Sequence, residues 1–342
     1  YGSYSGEIIK GNFFTWFQDG FSKYTFFNLG SIGYFYSANQ LSAIYLLGLP
    51  FIIISFLKKT SIKKGFVIVL STLTMFLIGT RTATYGIFII LGSVLIIYFI
   101  NSLLNKEKLK GKGIIFIVLL ISIFLLLYPY SIVVNRNEVQ EQIEITDIAL
   151  PESSETSTSP LEKELTREDK ILYIKDNYEE KRILPLFIIS RYPYQNDPDF
   201  WYDILQLDAS YRTNYRFLEQ AIAKRVVSIN NNKLDKYLGI GYNRMQNIFN
   251  IEKDFVMQYY SVGILGTVIL LWFYLYYLVK GGILIIKNKG IKMEYALTVG
   301  FSLCLFFITA YQSGNLLNSL YTTIPCSILF GLLYEETKKD IN

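Results

Sequence analysis

"LIGTRTATYGIFIILG" (residues 77–92) sets one arginine inside a long apolar stretch. Between Lys64 and Lys106, Arg81 is the only charged side chain. A guanidinium does not lose its proton, and a charge at the bilayer centre costs at least ~2.5–3.5 kcal/mol. Residues 65–101 are too many for one spanning helix and suit two, joined by a tight "GTRT" turn. That turn moves Arg81 from mid-bilayer to a membrane boundary. There it either snorkels to headgroups or meets an anion in a cavity, and the rest of the chain has to separate these readings.

Outward from this turn, apolar runs recur at about 39–57, 65–79, 83–101, 113–130, 255–279, 293–311 and 316–334. Each reaches or approaches the roughly 20 residues that a spanning helix needs. Polar residues at every third or fourth position, the mark of a soluble amphipathic helix, are missing from them. With 51% apolar residues in the chain, the expectation is an all-α integral membrane protein, a multi-span helical bundle.

The net charge of +5 does not point to nucleic acid, because the lysines cluster in short loops between runs. They stand at Lys58, Lys59, Lys63 and Lys64, at Lys106, Lys108, Lys110 and Lys112, at Lys280, Lys287, Lys289 and Lys292, and at Lys338 and Lys339. Short loops rich in Lys stay cytoplasmic. Alternation then places residues 1–38, the Arg81 turn, residues 131–254 and the turn near Gln312–Asn315 outside. The chain opens at Tyr1 with no visible signal peptide, and further spans upstream are expected.

Three parts follow: residues 1–130 with four spans, a large extracellular loop over 131–254, and residues 255–342 with three spans. Aromatic rings favour the headgroup zone, so the aromatic, glycine-rich start reads as an interfacial segment. Residues 145–169 are acidic and Ser/Thr-rich, a composition that does not bury a core, and are expected to be disordered. Around 208–229 a helix is expected, with Asp208 as N-cap.

Candidates for chemistry are few. The chain has no histidine, which removes the usual metal ligand and the usual general base. Cys304 and Cys326 fall inside spans, where free thiols are ordinary. Arg212 and Arg216 are four apart and would share a helix face; the bland reading is a solvated basic face beside Glu219. Gly239 and Gly241 in "GIG" permit close backbone approach. Glu252 and Asp254 precede the fifth span, where a helix dipole stabilises carboxylates. Asp197 and Asp199 in "NDPDF" have the spacing of a metal pair, but the flanking prolines make a turn the better reading.

Taken in order, several stretches resemble the O-antigen ligase/polymerase superfamily of surface-polysaccharide enzymes. "GSIGYFYSANQLSAIYLLGLP" (30–50) is similar to a family segment in which glycine and asparagine open a span, here Gly33 and Asn39. The "GTRT" junction is similar to the family's Ser/Thr-Arg span junction, and Arg81 to Gly92 fits an arginine–ten residues–glycine pattern. "LGIGYNR" (238–244), "IEKDFVMQYYSVGILG" (251–266) and "YQSGNLLNSLYTTIPCSILFGLL" (311–333) resemble the late glycine motif, the next span start and the closing turn. Where many ligases carry a histidine eleven residues before the first glycine of a Gly-x-x-Gly pair, counting back from Gly263 gives Glu252. Asn315 stands where relatives often have histidine.

The resemblance implies a GT-C-like fold in a bacterial cytoplasmic membrane, with its active site facing outside. It implies transfer of a glycan from an undecaprenyl-diphosphate-linked oligosaccharide to an acceptor hydroxyl, with membrane lipids and other polysaccharide-assembly proteins as partners. In that chemistry Arg81, Arg212, Arg216 and Arg244 would hold the diphosphate, since arginine grips phosphate oxygens bidentately. Glu252, with Asp254 second, would take the hydroxyl proton. No metal or other cofactor is required. The acidic "IEKDF" junction favours a polymerase, ahead of a ligase acting on a wall or lipid acceptor. A flippase or transporter would carry ionisable groups along its path, and a non-catalytic receptor would release no lipid diphosphate.

Overall fold

The computed structural model describes residues 37–106, 109–134, 165–241, 251–287 and 293–338. Among the described residues every regular element is helical and none is a strand. The chain divides into two compact units, residues 1–139 with 270–342 and residues 140–269. The interfacial segment expected before residue 37, and Arg244, lie outside the described residues.

The first unit contains α1 (Ala38–Lys58), α2 (Ile62–Ile78), α3 (Arg81–Asn105) and α4 (Gly111–Leu127). The C-terminal part of α10 (Asp254–Lys287), then α11 (Met293–Gln312) and α12 (Leu320–Lys338), complete it. Helix α1 is the hub, packing against α2, α3, α4, α11 and α12. Leu49, Ile53 and Leu57 of α1 meet Met75 of α2 and Ile87, Ile90, Leu91 and Val94 of α3 in one buried cluster. Among the described residues five helices are long and apolar enough to cross a membrane: those over Ala38–Lys58, Arg81–Leu104, Gly111–Val134, Asp254–Ile283 and Glu294–Gln312.

The other two expected runs are helical but shorter. Helix α2 has 17 residues, because Gly79 ends it in the left-handed region at φ 69°. A Cβ on Gly79 would stand 2.7 Å from Ile132 Cγ2, so glycine is required there on two counts. Helix α12 begins only at Leu320, after Gly314 and Asn315 turn the chain at φ 68° and 61°. Asparagine tolerates that conformation better than most residues.

At the lysine-rich end of this unit, Lys58 forms an ion pair with Glu294, whose side chain is fully buried. Lys64 Nζ donates to the Ser55 carbonyl and hydroxyl at 2.8 and 2.7 Å, and Lys110 donates to the Lys58 carbonyl. These lysines therefore close helix ends as well as carrying charge.

In the second unit, α5 (Arg167–Asn177) precedes a π-helical turn over Leu186–Arg191 and α6 (Pro198–Leu205). Then come α7 (Ala209–Arg212), α8 (Tyr215–Asn230), α9 (Asp235–Leu238) and the first residues of α10. Its core gathers around the fully buried Trp201, with Ile174, Ile188, Ile204, Leu218 and Ile222. The indole Nε1 donates to the Tyr192 carbonyl at 2.7 Å.

Two expectations are corrected here. Residues 165–169 of the stretch expected to be disordered are ordered: Thr166 and Asp169 form a reciprocal capping box at the start of α5. Residues 145–164 lie outside the described residues. The single helix expected over 208–229 is two, broken at Thr213–Asn214. Asn214 caps α8 by accepting from the Phe217 N–H at 3.3 Å, and Asp208 makes no side-chain cap bond. Arg212 and Arg216 thus belong to different helices, and the four-residue spacing does not put them on one face.

Candidate functional site

One cluster lies where α1 and α3 begin and α11 ends. Thr80 is the N-cap of α3, its Oγ1 accepting from the Ala83 N–H at 3.0 Å, and Arg81 is the first helical residue. The Ser42 hydroxyl lies 3.0 Å from Thr80 Oγ1 and donates to the Ala38 carbonyl at 2.7 Å. Asn39 Nδ2 donates to the Ser313 carbonyl at 3.1 Å, while the Thr82 and Ser313 hydroxyls are 2.6 Å apart. Asn39 therefore ties the start of α1 to the turn after α11.

This end is polar inside as well. Gln40 and Thr84 are buried, and Gln40 Oε1 and Thr84 Oγ1 have no hydrogen-bond partner among the described residues. The side chain of Arg81 is exposed. A helix start is its positive pole, and a cation there is disfavoured by about 0.3–1 kcal/mol unless an anion shares the position. Arginine and helix pole together make an anion-attracting place.

A second cluster lies in the other unit, where α8 meets the residues preceding α10. Arg216 on α8 forms an ion pair with Glu252 through its Nε. One turn along α8, Glu219 Oε2 accepts from the Glu252 backbone N–H at 3.0 Å. Burial pushes the Glu219 carboxyl up to about 7; the Glu252 charge adds to that, while the Glu252 N–H, Arg216 and Arg191 oppose it. Arg191 is the last residue of the π-helical turn, an irregularity that is frequent at functional sites. Ala223, Ile240, Ile251 and Met257 pack as a buried apolar cluster next to these groups.

Gly239 and Gly241 hold the loop after α9 against α10. Ile240 and Gly241 donate their N–H groups to the carbonyls of Tyr260 and Ser261 at 2.8 and 2.9 Å. Helix α10 is interrupted at Gly263, with φ 67° and ψ −172°, which frees those carbonyls from their helical donors. A Cβ on Gly239 would lie 2.4 Å from the Ser261 backbone, and one on Gly263 would lie 2.3 Å from the Tyr237 backbone. The two segments touch glycine to backbone in both directions.

The remaining sequence candidates are placed as follows. Arg212 donates to the carbonyls of Lys181 and Leu207 at 3.1 and 2.9 Å, which fastens α7 to the loop after α5. Asp254 is buried in the first turn of α10. Asp197 caps α6 from the Phe200 N–H at 3.3 Å and receives both Arg225 Nε and Nη2, at 2.7 and 2.9 Å. Asp199 pairs with Lys170 at 2.6 Å. Asp197 is thus a helix cap and Asp199 a first-turn residue of α6, and no group of three metal-binding side chains occurs among the described residues. Glu219 and Arg191 were not singled out from the sequence; Glu219 figured only as a neighbour of the arginines.

A family model described as "O-antigen ligase like membrane protein" matches residues 5–339. The chain belongs to that family. No curated protein and no solved structure matches it.

Proposed function

As a member of that family the chain is a multi-pass membrane protein of the polysaccharide ligase/polymerase type, and we propose that it is a polymerase. It transfers the glycan of an undecaprenyl-diphosphate-linked repeat unit to a hydroxyl of an acceptor glycan on the outer face of a bacterial cytoplasmic membrane. The placement of Arg81 carries this reading: a permanent cation stands at the positive pole of α3, amid hydrogen bonds between the start of α1 and the end of α11.

The bond to be broken joins the anomeric carbon to a phosphate oxygen. As it lengthens, negative charge grows on the diphosphate, and fixed cations and helix poles stabilise that charge without rearranging. Arg81 supplies the planar fork and α3 its positive pole. Lysine-rich loops at the other helix ends read as cytoplasmic, which assigns the Arg81 end to the outer side. The acceptor hydroxyl is a weak nucleophile and needs a base, which a positioned side chain supplies with a gain of about 10²–10⁴-fold. A carboxylate is the residue type that can provide it, histidine being absent. A single displacement inverts the anomeric carbon.

Purified protein in lipid nanodiscs, incubated with undecaprenyl-diphosphate-linked oligosaccharide, tests the reading. Release of undecaprenyl diphosphate with growth of a glycan of inverted anomeric configuration is expected. Movement of the intact donor across a membrane without such release would instead make the protein a transporter.

A further inference from the structure

The carboxylate pair at the α8–α10 junction is not symmetrical. Glu252 is held by the Arg216 guanidinium. Glu219 forms no ion pair among the described residues; its carboxylate is anchored by the Glu252 N–H at 3.0 Å. Helix α8 fixes it: Ala223, one turn further on, packs in the same apolar cluster as Ile251, the residue before Glu252. A carboxylate takes up a proton more readily when no cation is paired with it. Among the described residues Glu219 has no such pair, whereas Arg216 is already paired with the Glu252 carboxylate through Oε2.

We propose that Glu219, rather than Glu252, is the catalytic residue that accepts the acceptor's hydroxyl proton, and that Glu252 with Arg216 is a positioning pair. This rests on the glycosyl-transfer reading above. In the step, the hydroxyl O–H proton passes to a Glu219 carboxylate oxygen. The hydroxyl oxygen forms the new bond to the anomeric carbon, and the bond from that carbon to the phosphate oxygen breaks with its electron pair leaving on undecaprenyl diphosphate. Glu219 then returns its proton to water. The charged groups facing Glu219 are Glu252, Arg216 and Arg191, so its charge state responds to all three. A carboxyl pushed up to about 7 suits the task, because a base is most effective when it titrates near the working pH.

The test measures undecaprenyl diphosphate release against pH in nanodiscs for wild type, Glu219→Gln, Glu219→Ala and Glu252→Gln. Glu219→Gln is expected to lose about 10²–10⁴-fold in kcat with little change in donor KM, and its acidic limb should vanish. Formate should partly restore Glu219→Ala, which a misfolded variant would not allow. Glu252→Gln removes a negative neighbour and releases Arg216; its acidic limb should move to lower pH by about 1 unit, with activity at its optimum kept within tenfold. Wild-type rates and an unchanged limb in Glu219→Gln would overturn the assignment while leaving the transfer reading intact. A wild type that releases no undecaprenyl diphosphate would remove both.

Discussion

Substituting alanine at Gly263 tests the interlock between α10 and the loop after α9. Gly263 has φ 67° and ψ −172°, and Gly239 has φ 75° and ψ 177°. This region is essentially restricted to glycine, and a residue forced into it costs about 1–3 kcal/mol. The new Cβ would also stand 2.3 Å from the Tyr237 backbone, which is far inside contact distance and is relieved only when the segments part. Parting them breaks the bonds from Ile240 and Gly241 to Tyr260 and Ser261, each worth about 0.5–1.5 kcal/mol. Because wild type also breaks these bonds on opening, the strain sets the change, and about 1–3 kcal/mol corresponds to roughly 5-fold or more in the local opening equilibrium.

Hydrogen exchange reads this directly, because the amides of Ile240 and Gly241 are the reporters. In Gly263→Ala their exchange should quicken by that factor, while amides of α6 beside Trp201 keep wild-type protection. Gly239→Ala should do the same from the other segment. The double variant should cost little more than either single one, since one separation relieves both clashes. Unchanged exchange at Ile240 and Gly241 in Gly263→Ala would refute the interlock.

Asp197→Asn should weaken the second unit by about 1–3 kcal/mol, less than a fully buried pair because Arg225 is partly exposed; exchange at α6 amides measures it. Although burial alone would raise the Asp197 carboxyl, hydrogen bonds from Arg225, Tyr192 and the Phe200 N–H hold it below its ordinary value. Its stabilisation is therefore complete above the unfolded value near 3.8 and lost as pH falls through the lowered folded value, so the asparagine variant should lose this acid sensitivity. Lys58→Ala should lower thermal stability in detergent by stranding the buried Glu294, and adding Glu294→Gln should restore much of it. Failure of that rescue would mean that Lys58 acts through its hydrogen-bonding surroundings and not through Glu294.

Much of the membrane part was legible because hydropathy over about 20 residues reports burial in lipid directly. The "GTRT" break was legible too: glycine followed by threonine is a helix stop followed by a helix cap, as Gly79 and Thr80 prove to be. The "GIG" stretch announced close backbone approach, and Gly239 makes one. Other features were not readable. Arg212 and Arg216 looked like one helix face, but Asn214 prefers capping to continuing a helix, and that choice separates them. Glu219 is anchored by the backbone N–H of Glu252, 33 residues along the chain. No local pattern carries that contact. The Asp197–Arg225 pair likewise joins α6 to α8 across the core, and only the fold brings them together.

The most direct measurement compares Arg81→Lys with wild type in undecaprenyl diphosphate release from a lipid-linked oligosaccharide. Lysine keeps the charge and loses the two-pronged grip on phosphate. If the guanidinium at the head of α3 stabilises the departing diphosphate, kcat falls by about 10²–10³-fold. Turnover equal to wild type would contradict the account.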